Sequence, residues 1–212
     1  MHLFQIDHCA GSKGPKGNPG NNGKRGPPGI NGGGVTYVRW GKTTCRAGAH
    51  LVYKGRIGGE HYSHPGGGVN YLCMTEKLDY LNTLKGWQYS GRVYGTEYEV
   101  YEYGSGKTLF GKTLHNHDAP CAVCHVKTRS AKLMIPGTYK CPAGWHREYY
   151  GYLMTEYYKH VHPMDYICVD KKADPVPASH SNKDGALLYP VESACGSLPC
   201  GPYANERELT CA

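Results

Sequence analysis

The chain holds only two phenylalanines and three tryptophans among 212 residues, and it has no long apolar run. No segment of the sequence is apolar for long enough to read as a membrane-spanning helix. There is no N-x-S/T sequon, so N-glycosylation has no support. There is no G-x-S-x-G elbow and no acid pair stands out, so no enzyme activity, catalytic residue, cofactor or metal is expected. The net charge of +7 is scattered rather than gathered in a Lys/Arg tract, which argues against nucleic acid as a partner. Residues 1–8 lack an apolar h-region and do not read as a signal peptide.

What the chain does have is glycine, tyrosine and cysteine: 30, 19 and 10 residues respectively. Glycine recurs at Gly11, Gly14, Gly17, Gly20, Gly23, Gly26, Gly29 and Gly32. That strict period of three is the signature of a collagen triple helix, in which only glycine fits at the crowded axis. Pro15 and Pro27 at X and Pro19 and Pro28 at Y suit polyproline-II geometry. At about 3.1 Å per residue the run predicts a short rod of roughly 65 Å. With Lys13, Lys16 and Arg25 at Y positions the rod is basic. So short a stalk needs something outside it to hold three chains in register. Cys9 is a candidate interchain disulfide, with a bond to the globular part as the other reading, and the large C-terminal part could itself trimerise.

Beyond the stalk the cysteine density, with interspersed histidine and glycine, describes a secreted, disulfide-rich domain. Cys45-Arg-Ala-Gly48, Tyr53-Lys-Gly55, His61-Tyr62-Ser-His64 and Asn70-Tyr71-Leu72-Cys73 are nearly repeated. The counterparts are Cys141-Pro-Ala-Gly144, Tyr149-Tyr-Gly151, Tyr157-Tyr158-Lys-His160 and Asp165-Tyr166-Ile167-Cys168. Gly-led apolar stretches follow, 95–100 and 185–191, and then a cysteine cluster in each half. This predicts two related halves packed about a pseudo-twofold, 39–136 and 137–212. Equivalent cysteines should pair equivalently. The simplest symmetric scheme is Cys45–Cys73 with Cys141–Cys168; a pairing swapped between halves fits as well. Disulfides are expected to take up Cys45, Cys73, Cys121, Cys124, Cys141, Cys168, Cys195, Cys200 and Cys211. Residues 97–103 alternate bulky and charged side chains, and 132–135 is an apolar run closed by Pro136-Gly137, so short strands are expected and no long helical period appears.

Three constellations compete with the structural reading. Cys121-Ala-Val-Cys124-His125 has the form that attaches c-type haem, but among eight other cysteines it reads as disulfides. His115 and His117 with Cys121 and Cys124 could hold zinc, which oxidised cysteines cannot. His61 and His64 lie close together, as do His160 and His162, and such pairs can bind metals or read pH; His61 and His160 or Tyr157 fall at similar points of the repeat, which suggests a shared structural role. Tyr149, Tyr150, Tyr152, Tyr157 and Tyr158 crowd one stretch, as interface or as core filler.

The residues resemble a known family, the short-chain, spongin-type collagens of invertebrates. The likeness is carried by TYVRWGKTTC (36–45), LVYKG (51–55), GGGVNYLC (66–73), PCAVCHV (120–126), LMIPG (133–137), GYLM (151–154), GALLYPVE (185–192), CGSLPC (195–200) and RELTC (207–211). The family's C-terminal domain is similar to the duplicated non-collagenous domain of type IV collagen, which implies trimerisation and network assembly outside the cell. One departure is that the family continues past the equivalent of Cys211 to a second cysteine, whereas this sequence stops at Ala212. That implies a trimmed end with an unpaired thiol, a new partner such as Cys9, or rewired bridges.

The expected fold is therefore a short collagen triple helix plus an all-β, disulfide-rich C-terminal domain with two pseudo-repeated halves. The divisions are an N-terminal segment (1–10), the Gly-X-Y stalk (11–32), a linker (33–38) and the two halves. The expected function is a secreted extracellular-matrix protein that forms homotrimers, with itself and other matrix components as partners. The runner-up is a soluble, stalked recognition protein that gains avidity for repeated ligands such as glycans.

Overall fold

The computed structural model describes residues 15–21, 33–101 and 108–212. They fall into two units, Met1–Gly32 and Gly33–Ala212. The expected architecture is corrected in the first unit. Residues 15–21 have no regular secondary structure and are exposed. Among the described residues there is no triple helix. Cys9 and the glycines at 11, 14, 23, 26, 29 and 32 lie outside the described residues.

The second unit is an all-β closed barrel. Its strands are β1 (Val35–Trp40), β2 (His50–Gly59), β3 (Leu72–Thr75), β4 (Tyr94–Tyr98), β5 (Pro120–Val126), β6 (Gly151–Thr155), β7 (Ile167–Asp170), β8 (Ala186–Pro190), β9 (Glu192–Ser193), β10 (Arg207–Glu208) and β11 (Thr210–Cys211). Seven of them form a hydrogen-bonded ring in the order β6-β7-β1-β5-β2-β4-β8, closed by β8 on β6, with β3 against β2 and β11 against β6. The expected linker, 33–38, is mostly β1. The expected run 132–135 forms no strand, and the predicted strand at 97 ends at Tyr98, four residues after β4 begins.

The two halves are not separate bodies. The first contributes the contiguous strands β1, β5, β2 and β4, the second β8, β6 and β7. Every pairing within a half is antiparallel, whereas both seams between halves, β1–β7 and β4–β8, are parallel. Neither half has enough strands to close a cylinder alone, so each completes the other's ring. At the β1–β7 seam the Arg39 guanidinium meets the Asp170 carboxylate at 2.7 Å.

Local geometry nevertheless repeats. Gly55 of β2 pairs with Thr75 of β3 and Gly151 of β6 with Asp170 of β7, at matching points of the two halves. A Cβ on Gly55 would stand 1.6 Å from the Met74 carbonyl oxygen, and one on Gly151 would stand 1.7 Å from that of Val169. At both sites the neighbouring backbone approaches closely enough to exclude any side chain.

The core is built from Ile57, Tyr98, Leu114, Met154, Val169 and Leu188, all almost wholly buried. With so little phenylalanine, tyrosine fills space, and each buried phenol needs an acceptor. Tyr71 donates to the Leu187 carbonyl at 2.6 Å and Tyr98 to that of Asp174 at 3.2 Å, and the single Tyr149 hydroxyl proton has the carbonyls of Val38 and Cys168 as acceptors at 3.0 and 2.9 Å. Burial pushes all three phenols up. Of the tyrosine-rich stretch, Tyr149, Tyr152 and Tyr157 are at least half-buried and Tyr150 and Tyr158 exposed, so most of it is filler.

Among the described residues the disulfides are Cys45–Cys124, Cys73–Cys121 and Cys168–Cys211. The expected pairs Cys45–Cys73 and Cys141–Cys168 do not form. The reason is topological: β5 enters between β1 and β2, which brings Cys121 and Cys124 from far along the chain beside cysteines that sequence spacing assigned to each other. Because side chains alternate along a strand, these two cysteines project from opposite faces of β5. Cys121 joins the main core and Cys124 a second cluster with Tyr37 and Val126. Cys73–Cys121 and Cys168–Cys211 occupy matching places in the two halves. The expected disulfide cysteines Cys141, Cys195 and Cys200 carry free thiols.

Candidate assembly surface

Between β3 and β4 the chain leaves the barrel. From 76 to 93 every residue is exposed, including Leu78, Tyr80, Leu81, Leu84, Trp87, Tyr89 and Val93. Leu81 is 94% and Trp87 79% accessible. The segment forms neither strand nor helix, and Asn82, Gly86 and Gly91 interrupt its apolar positions. Side-chain contacts within this arm are short-range. Gln88 donates to the carbonyls of Lys85 and Gly86, and the Arg92 guanidinium lies 4.4 Å from the Trp87 ring centre. The arm is tied to the barrel at its ends, by Glu76 to Arg56 at 3.7 Å and by Val93 against Gly58.

An exposed set of large apolar side chains of this kind is unusual in a monomer. Each leucine or aromatic removed from water contributes roughly 1.5–3 kcal/mol, so the arm carries a large latent binding energy that its own barrel does not use. Sequence reading passed over it because it lies between two recognised repeat motifs. The signal was present as a concentration of leucine and aromatics without strand periodicity.

The other predicted residues are accounted for elsewhere. Cys121 and Cys124 are both oxidised, so neither haem attachment nor a zinc site with His115 and His117 can use them. The paired histidines staple turns. Glu60 Oε1 accepts from the His61 amide and faces His64 Nδ1 at 2.9 Å; Glu156 Oε1 accepts from the Tyr157 amide and faces His160 Nδ1 at 2.8 Å. Each staple sits at the end of its half's central strand, β2 or β6. His162 is buried, its two ring nitrogens 3.0 Å from the carbonyls of His64 and Gly68. Cys141 lines a groove with Trp40, Met134, Trp145 and Ala212. Cys195 and Cys200 stand side by side, and that contact pushes the Cys195 thiol up.

No protein-family model matches the chain, and no solved structure matches its fold.

Proposed function

We propose that the chain is a secreted structural protein of the extracellular matrix, whose barrel self-associates into homotrimers through the 76–93 arm. The observation that carries this reading is the arm itself: a continuous exposed segment with Leu81, Leu84, Trp87 and Tyr89 turned to solvent. Three disulfides suit an oxidising compartment. Among the described residues no helix is long and apolar enough to cross a membrane. The resemblance of the barrel's motifs to short-chain collagens supports the matrix setting.

Light scattering on the full chain, with and without reductant, tests the proposal. A trimer that persists in reductant and falls to monomer in the double variant Leu81→Asp/Trp87→Asp, with an unchanged β-type circular dichroism spectrum, is expected. A monomeric wild-type chain overturns it.

A further inference from the structure

Where β4 runs beside β8, three carboxylates converge. Glu97 lies in β4, Glu99 just beyond its end, and Asp184 just before β8 begins; one oxygen from each lies within 4.8 Å of the other two. Glu97 and Glu99 share a strand face by two-residue alternation, and parallel pairing of Thr96 with Ala186 brings the turn before β8 alongside them.

Two of the three are deeply buried, Glu97 at 3% and Glu99 at 6% exposure. A buried carboxylate ordinarily faces a cation or several donors. The Glu97 carboxylate is half satisfied: Oε1 accepts from the Lys183 amide at 3.1 Å, while Oε2 is buried without a partner. No lysine or arginine forms an ion pair with any of the three among the described residues. His115 Nδ1 stands 3.4 Å from Glu99 Oε2 without a hydrogen bond. The cluster thus combines three acids without a basic ion-pair partner from lysine or arginine, an orphaned buried oxygen and an exposed member, Asp184, at its mouth.

We infer that Glu97, Glu99 and Asp184 form a binding site for a divalent cation of the calcium class. Calcium takes six to eight oxygen ligands at roughly 2.3–2.6 Å, so oxygens that lie within 4.8 Å of one another can share one ion. Carboxylate oxygens are hard donors that select calcium over softer metals. Asp184 is exposed and gives an entry path, and waters would complete the shell. The ion would meet the orphaned Glu97 oxygen and neutralise the mutual repulsion of the three carboxylates. Extracellular modules of this kind hold calcium at roughly 10⁻⁴–10⁻³ M, which suits a chain outside the cell but does not depend on the arm.

The site is tested on the full chain after chelator treatment. Calcium titrated to about ten times that affinity range is expected to raise Tm by several degrees and to support tyrosine-sensitised terbium luminescence that calcium displaces. Glu97→Gln should abolish both responses. Because a buried substitution can disturb folding, Asp184→Asn at the exposed rim is the second variant; it should keep the metal-free Tm and weaken calcium binding at least tenfold. No Tm shift and no bound calcium in the wild type, or equal responses in wild type and Asp184→Asn, overturns the assignment.

Discussion

The connection from β3 to β4 and the one from β7 to β8 occupy the same step of the internal repeat, yet one leaves the barrel and the other is fastened to it. In the second, Ala173 and Val176 are buried, the Asp174 amide donates to the Gly41 carbonyl, and the Val176 amide donates to that of Asp118. The Asp174 carboxylate meets Lys42 and Lys112, each at 2.7 Å, and these partners hold its carboxyl low against the opposing effect of burial. The first connection is held at its ends, where Glu76 meets Arg56, Val93 lies against Gly58 and the Arg92 amide reaches Glu60, while the apolar side chains between are exposed. Two copies of one local plan have diverged, one serving the barrel's own stability and the other presenting apolar surface to a partner.

The largest test concerns how each connection is anchored. Cys73–Cys121 and Cys168–Cys211 hold the strands that precede the two connections, and they close stretches of 48 and 43 residues. Chain-entropy arguments give about 4 kcal/mol for each, so the double variants Cys73→Ser/Cys121→Ser and Cys168→Ser/Cys211→Ser should lose nearly equal stability in denaturant titrations. A large inequality would break the equivalence of the halves at their anchors.

Next come the close-approach glycines. Gly55→Ala and Gly151→Ala each drive a methyl into a neighbouring carbonyl, and overpacking of this kind costs about 1–3 kcal/mol. The two variants should behave alike in thermal melts. In the connections themselves, Asp174→Ala should cost about 1 kcal/mol as its two-lysine network is lost, whereas Asp79→Ala in the arm should change stability by less than about 0.5 kcal/mol.

The smallest effect separates the halves by pH. Burial pushes Glu60 up, but the amides of His61 and Arg92 and the His64 ring together outweigh it, leaving its carboxyl below the ordinary 4.5. Burial of Glu156 outweighs its donors from Tyr157, His160 and Leu187 and leaves that carboxyl above 4.5. Glu60 therefore stabilises the fold above pH 4.5, and this contribution is lost as pH falls through its lowered value. Glu156 does the reverse: its contribution is present below pH 4.5 and is lost as pH rises toward its raised value. Plots of Tm against pH should show Glu60→Gln removing part of the acid-side decline and Glu156→Gln removing part of the decline on the rising side.

Much of this could be read from residues in order. The cysteine density announced a disulfide-rich fold, the short strand signals an all-β one, and the matched motifs around Gly55 and Gly151 pointed to related local geometry. Glu97 and Glu99 read as the charged members of an alternating strand, which ordinarily face water; burial became visible only once β8 lay alongside. The Cys121-x-x-Cys124 spacing was legible as a motif, but its partners were not, because a strand's faces can be read from alternation while its neighbours cannot.

The chain order alone thus determined the composition class, the secondary-structure type and the internal echo, since these depend on side-chain chemistry and backbone preference within a few residues. The tertiary structure decided that two halves share one closed ring, that Cys45 and Cys73 reach forward to β5, that three acids meet at one seam, and that one of two equivalent connections stays uncovered. Those outcomes depend on which strands become neighbours, and that choice is made by the burial and hydrogen bonding of the whole barrel rather than by any segment of it.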